Sequence, residues 1–442
     1  MIASVHVLHA SPPEIGGFLR IGHTGHRKLE ALLAANRLYF RRFVFDAAHI
    51  AEQTELVKSL RGSGCEIVLD PNSAEMATLG RFNSSVSKLP WGNPDRPWQP
   101  SDFGKGRNVD TAKAIAEFAV KYSVDAVLTP AHFVDSLPNG WTTVDMKLCE
   151  ELRNELDRSG GKSVALDFQI IATNTLLRDT ASRELLISSV RHLPVENVWI
   201  RASGFGATAT GAATRSFMES VRHFHELQKP LVADYTGGLS GLAAAAFGVV
   251  GGMSHGVGQK ETFRASGLNT PSKPGERKGS TKWIYVPELN RSFKQEQLGS
   301  LFGVRGARSR FGCNDSNCCP NGPEDMIENP HIHFITQRSR QLTDLSNVPE
   351  LRRAEHLLLR HLDPAVRAAR LASRLHPDDQ ALVKAMLASK KRLVNLRDAL
   401  GDLHATDGGA TRSSMPTFRG NLKNLNSAAG GQKNDKCGFQ DH

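Results

Sequence analysis

Seven ionisable side chains recur at one relative place, at or just beyond the end of a short β-rich run. They are Asp46, Asp70, His132, Asp167, Arg201, Asp234 and His255, attached to RFVFD, EIVLD, DAVLT, VALDFQII, NVWIRAS, PLVADY and GGMSH. A single Asp after a strand is commonly a helix N-cap. Seven such groups in successive units point instead to an active-site mouth. Two carboxylates facing a bound sugar or base would let one attack carbon while the other moves protons. Asp70 and Asp234 are expected to be that pair, with His255 as a third catalytic group. Asp46, His132, Asp167 and Arg201 are expected to contact the substrate.

Two further clusters carry chemistry. In DYTGGLSGLAAAAFGVVGGMSHGVGQKE (234–261), Gly237 and Gly238 permit close approach of a ligand to backbone. Open backbone N–H groups near the seventh strand would suit a phosphate. Further on, RFGCNDSNCCPNGPEDM holds Cys313, Cys318 and Cys319, followed by His331 and His333. Thiolates plus one imidazole are what Zn2+ takes in a closed structural site, and His333 is the expected fourth ligand. The C-x4-C-C spacing differs from the familiar C-x2-C knuckle.

Positioning these groups requires an alternation of strands and helices. Eight β-rich runs at 42–46, 66–70, 125–129, 164–171, 197–203, 230–235, 251–255 and 282–287 are separated by amphipathic helical patterns. Strands buried on both faces read as continuous apolar runs, and helices between them imply parallel pairing. The fold expected is therefore α/β, a (β/α)8 TIM-like barrel over 41–300. Residues 1–40 would lead into it. A Cys/His zinc-binding insertion at 301–347 and C-terminal basic helices at 348–403 would follow, then a disordered tail at 404–442. Long loops at 71–109 and 262–281 would hang over the mouth.

The layout resembles the tRNA-guanine transglycosylase superfamily, including relatives that insert deazaguanine bases into DNA. IVLDPNSAEMATLG is similar to the family's I-L-x-D-S-G-G-F-Q-x-M-S-L-G stretch and places Asp70 at the family's essential Asp. KPLVADYTGGLSGLAAAAFGVVGGMSH follows the family's K-P-x-x-L-x-G, helix, G-x-D-M-F-D order, and the late Cys run echoes its zinc site. The resemblance implies base exchange in nucleic acid (tRNA or DNA) through a carboxylate nucleophile, with a free modified purine base as co-substrate and a homodimer as a possible assembly. The chain departs from the pattern where the family has its nucleophilic Asp, because Ser254 or His255 stands there. It departs again in LTPAHF, where Ala131 and His132 replace the base-recognising Asp. Asp234 is therefore the nucleophile expected. Two other readings fit the same residues: a small-molecule barrel enzyme acting on a phosphorylated substrate, and a catalytically inactive nucleic-acid-binding relative.

Composition limits the alternatives. The longest apolar stretch, Gly241 to Met253, falls short of the roughly 20 residues that a membrane span needs. Six Cys in 442 residues make no disulfide framework, and the first residues lack the basic and apolar regions of a secretory signal, so a cytoplasmic protein is expected. The formal charge of +10 is concentrated: residues 351–400 carry 11 Lys+Arg against 5 Asp+Glu. A basic segment beside a nearly neutral body suggests a polyanion-binding element. Arg352, Arg353, Arg360, Arg367, Arg370, Lys390, Lys391 and Arg392 would form it.

Overall fold

A computed structural model describes residues 12–421 apart from 24, 259 and 271–280. Eight parallel strands close into a barrel with helices between them. They are β1 (Gly16–Ile21), β2 (Arg42–Asp46), β3 (Glu66–Asp70), β4 (Ala126–Leu128), β5 (Ala165–Thr173), β6 (Asn197–Ser203), β7 (Leu231–Ala233) and β8 (Gly252–Gly256). Each pairs with the next, and β8 pairs with β1 to complete the circuit. Among the described residues no helix is long and apolar enough to cross a membrane.

The barrel differs from the expected one in which runs supply its strands. GGFLRI is the first strand, so the barrel begins at Gly16 and residues 16–40 are part of it rather than a lead-in. The run at 282–287 is not a barrel strand. Its residues Trp283–Val286 (β9) pair antiparallel with Arg291–Lys294 (β10) in a separate hairpin. The physical reason is apolar content. β1 opens with two glycines and reaches Arg20 after only Phe18 and Leu19, so it lacks the continuous apolar signature, whereas KWIYV has that signature outside the barrel.

Side chains alternate in and out along each strand. Phe18, Val44, Val68, Trp199 and Val232 point inward and form one packed layer with Ala126, Leu128 and Ala165. Two residues further along the same strands stand Arg20, Asp46, Asp70, Arg201 and Asp234, all buried. The apolar layer is therefore the floor beneath a second layer made of charge.

The opposite end of the barrel is closed by the tail. Arg419 places its guanidinium 2.6 Å from Asp167, 3.4 Å from Glu66 and 3.0 Å from Glu196. The Ser413 hydroxyl accepts from the Leu231 N–H at 2.9 Å, and Arg42 donates to the Pro416 carbonyl at 2.9 Å. Residues 404–421 are thus packed rather than disordered, because their polar groups satisfy strand ends; 422–442 lie outside the described residues. Arg419→Ala should destabilise the protein by about 3–5 kcal/mol in urea unfolding, since it leaves Asp167 buried without a cation, while Glu66 keeps only Arg42 at 3.2 Å. A loss under about 1 kcal/mol would mean that the plug is dispensable.

Candidate functional site

The inward residues of the charged layer form one network. Arg20 Nε and Nη2 donate to the two oxygens of Asp234 at 2.8 and 2.9 Å, and Nη1 donates to Asp70 Oδ2 at 2.8 Å. Arg201 Nε donates to Asp234 Oδ2 at 2.8 Å, while its Nη2 reaches Asp70 Oδ2 at 3.2 Å and Gln169 Oε1 at 3.0 Å. Asp70 and Asp234 therefore converge, as the sequence suggests, but on two arginines. Burial pushes the Asp70 carboxyl up, yet Arg20 and Arg201 bring it down to about 2. Asp234 is likewise lowered, burial being outweighed by the same two cations.

Above this network lies a cavity of about 200 Å3, lined by Asp46, His49, Glu75, Arg81, Asn83, Arg201, Tyr235, Lys260 and Phe263. Both long loops roof it. Trp91 and Trp98 anchor the first loop in the core, and the Gly80 N–H donates to the Leu268 carbonyl of the second at 2.6 Å. Residues 271–280 of the second loop lie outside the described residues.

Two carboxylates line this cavity, each with one buried oxygen that has no hydrogen-bond partner among the described residues, although Arg20 Nη1 stands 3.7 Å from Asp46 Oδ1. Asp46 Oδ2 accepts from Lys260 Nζ at 2.8 Å, while its Oδ1 has no hydrogen-bond partner among the described residues. Glu75 Oε1 lies 3.9 Å from Arg201 Nη1, and its Oε2 is buried and unpartnered. Burial, and then the Asp70 and Asp46 charges, raise the Glu75 carboxyl above its usual range against the pull of Arg201. Burial disfavours the Lys260 charge, but Asp46 overrides this and holds the ammonium above its ordinary value. Tyr235 spreads its ring under three cations, 4.2 Å from the Arg201 guanidinium carbon, 4.8 Å from that of Arg20 and 5.7 Å from Lys260 Nζ.

Several expected site residues stand elsewhere. Asp234 has both oxygens filled, by Arg20, Arg201 and the Tyr235 N–H at 2.9 Å, so no lone pair remains for attack on carbon. Asp167 is the third residue of β5, opposite the first residue of β6, and it binds Arg419 at the far end of the barrel. His255 pairs in register with outward-facing Leu19, and so points away from the cavity, edge-on to Phe40 and Phe334. His132 Nδ1 meets Asp145 at 2.5 Å, and its ring stacks on Trp141 at 3.7 Å beside Trp98 and Phe103 of the first loop, outside the lining of this cavity. The N–H groups of Gly237 and Gly238 are already taken by the Glu261 carbonyl and carboxylate, at 3.1 and 3.2 Å. They offer no phosphate seat. Arg20, Glu75, Lys260 and Tyr235 escape the strand-end reading. Glu75 and Lys260 each lie five residues past a strand-end residue, and Arg20 alternates with inward Phe18.

A second cavity of about 630 Å3 adjoins the first through Lys260, which lines both. Its wall includes Trp283, Asn290, Arg291, Arg338 and Arg392. Arg338 pairs with Glu261 at 2.8 Å. Arg392 is lowered to about 10 by burial and by the neighbouring Arg291 and Arg338. Asn290 is buried with neither side-chain polar atom partnered among the described residues. This groove holds more positive charge than its one carboxylate neutralises.

Part of the basic C-terminal segment is structural. Arg353 is buried and donates to the Val348 and Ser346 carbonyls, and Arg392 donates to the carbonyls of Ala207 and Asn290 at 2.7 and 2.9 Å. Arg352 pairs with Glu355 at 2.7 Å. Arg360, Arg367, Arg370 and Lys391 are exposed.

The expected metal ligands do meet. Cys313 Sγ lies 3.6 Å from Cys318 Sγ, and His333 Nδ1 lies 3.6 and 3.5 Å from the sulfurs of Cys318 and Cys319. Metal–ligand bonds of about 2.0–2.3 Å in a tetrahedron give edges of this length. His333 Nε2 lies 2.9 Å from the Tyr285 carbonyl, an arrangement that leaves Nδ1 as the lone-pair donor. His331 instead meets Lys28 at 3.0 Å. This buried Cys3His group could hold a metal ion such as zinc. With adjacent ligands at Cys318 and Cys319, Cys318→Ser should abolish stoichiometric metal retention, read by elemental analysis after dialysis; a variant that keeps its metal would exclude the cluster.

No family model and no curated protein matches the chain. Solved structures similar to it include a type I 3-dehydroquinate dehydratase from Clostridium difficile, with 11% identity over 59% of this chain and 90% of that one at a TM-score of 0.34. KGPDC from Streptococcus mutans has 11% identity over 58% and 94%, also at 0.34. A GH26 beta-mannanase from Bacteroides ovatus has 11% identity over 60% and 85%, at 0.35. At these scores the likenesses carry no weight for what the chain does.

Proposed function

We propose that the barrel exchanges a (deaza)guanine-type base in nucleic acid, with Asp46 as the attacking carboxylate and Glu75 as the proton carrier. The observation that carries this reading is the pair itself. One cavity is lined by an Asp fixed by Lys260, whose second oxygen has no hydrogen bond, and by a Glu pushed toward its neutral form. A carboxylate held by a cation beside one that burial pushes toward its neutral form suits a division into nucleophile and acid.

Asp46 Oδ1 would attack C1′ of the nucleoside. The bond from C1′ to the base nitrogen breaks, its electron pair leaves with the base, and that base takes the Glu75 proton. The incoming base then attacks C1′, displaces the Asp46 carboxylate and returns its proton to Glu75. Lys260 Nζ holds Asp46 Oδ2 at 2.8 Å and Arg20 Nη1 stands 3.7 Å from its Oδ1, and Tyr235 and Phe263 offer ring faces to a planar base.

The neighbouring cationic groove supports a phosphate-bearing substrate, because Arg291, Arg338 and Arg392 crowd one another with a single carboxylate among them. A phosphate flanking the reacting nucleotide would relieve that repulsion. Zn2+ in the Cys3His group would supply rigidity to the hairpin and helix that carry Arg291 and Arg338.

Labelled guanine and a deazaguanine, offered with tRNA or duplex DNA, test the reading. Incorporation into one polymer, lost in Asp46→Asn, is expected, together with binding that weakens steeply as salt rises. Turnover of a small phosphorylated metabolite with no polymer incorporation would favour the other enzyme reading. Salt-sensitive binding with no incorporation would favour an inactive nucleic-acid-binding relative.

A further inference from the structure

A third group of ligating side chains lies away from both the barrel mouth and the Cys3His cluster. Asp344 sits near the end of the helix Pro330–Ser346. His356 ends the helical turn Arg353–His356, and His361 lies within the π-helical segment Leu357–Leu362 that continues it. His356 Nε2 and His361 Nε2 approach the same oxygen, Asp344 Oδ2, at 2.8 and 2.9 Å. All three ligand atoms lie within 4.8 Å of one another.

The backbone is bent to achieve this. In an α-helix, residues five apart lie about 140° apart around the axis, on different faces. The wider i→i+5 turn brings His356 and His361 back to one side, and such turns are frequent at functional sites. Two imidazoles and one carboxylate are the donor set that borderline divalent ions accept. Bonds of about 2.0–2.2 Å to a shared ion need only a small outward shift of each ring from the present contacts.

The geometry points to a second metal site in which Asp344, His356 and His361 bind a divalent transition cation, with open coordination positions for water. Asp344 also lines a broad cleft of about 900 Å3 that reaches Cys313, so the open positions face solvent. The side chains of His356 and His361 are 24% and 12% exposed, which leaves the rings reachable but held in place. A bound ion would clamp the end of the Pro330–Ser346 helix, which also carries His333 and Arg338, to the C-terminal helices.

Titration of zinc-loaded protein with Co2+ tests this directly. One additional Co2+ per chain is expected, with weak visible bands and no thiolate charge-transfer band, since no sulfur belongs to the site. His356→Gln and His361→Gln should each weaken that binding at least tenfold, whereas His331→Gln should leave it unchanged. Because all three side chains are partly exposed, the variants are expected to keep the wild-type circular dichroism. No extra Co2+ at about millimolar concentration would overturn the site. So would binding that survives both substitutions, or Co2+ uptake accounted for entirely by a thiolate band that disappears with Cys318→Ser.

Discussion

Replacing Arg20 with methionine should lower folding stability by about 3–5 kcal/mol at pH 7. The guanidinium is wholly buried and holds Asp234 through two hydrogen bonds and Asp70 through one. Methionine fills much of the same space, so the deficit reports on stranded charge rather than on a hole. Its pH dependence separates the two. In the wild type, Asp70 has its carboxyl lowered to about 2, so its contribution is complete above the unfolded value of about 3.9 and is lost as pH falls through 2. Without Arg20, the buried Asp70 and Asp234 shift upward, so the variant gains stability on acidification. Urea unfolding of both proteins should therefore show the gap closing as pH falls from about 7 to 3. A gap that stays constant over that range would assign the loss to packing.

Replacing Glu75 with glutamine should reduce turnover by about 10^2- to 10^4-fold while leaving the fold intact. Glu75 is raised by burial and by the Asp70 and Asp46 charges, so its acid form persists above the ordinary carboxylate range. Activity limited by that acid falls as pH rises through the raised pKa. Glutamine does not titrate, so its pH–rate profile should lack this descending limb. A substrate whose departing base needs no proton should recover much of the lost rate. Unaltered profiles in wild type and variant would remove Glu75 from proton transfer.

Much of this architecture can be read from residue patterns, and the failures have a common cause. Seven of the eight barrel strands announce themselves as apolar runs because helices cover their outer face and a packed layer fills their inner one. β1 does not, since GGFLRI has only Phe18 and Leu19 as an apolar pair between two glycines and Arg20, whereas NVWIRAS has three apolar residues before its Arg201. The convergence of Asp70, Asp234, Arg201 and Asp46 follows from strand parity, which is legible once strand ends are known. His255 fails for the same reason: one residue of phase moves a strand-end side chain from the mouth to the outer wall. Asp167 fails because β5 runs on to Thr173, which leaves that residue near the strand's start. Glu75 and Lys260 lie in loops, where no periodicity reports direction. Likewise Arg353 and Arg392 count as positive charge in composition, but part of their hydrogen-bonding capacity goes to backbone carbonyls. The Cys3His group was foreseeable from residue types alone, although the C-x4-C-C spacing does not show that adjacent cysteines can share a centre.

The most direct test of the central claim is to quench the protein in acid during reaction with a nucleic-acid substrate and map any covalent adduct by peptide mass spectrometry. A sugar-linked adduct is expected on the peptide containing Asp46, accumulating when the incoming base is withheld and absent in Asp46→Asn. An adduct on the peptide containing Asp234, or base exchange undiminished in Asp46→Asn, would contradict it.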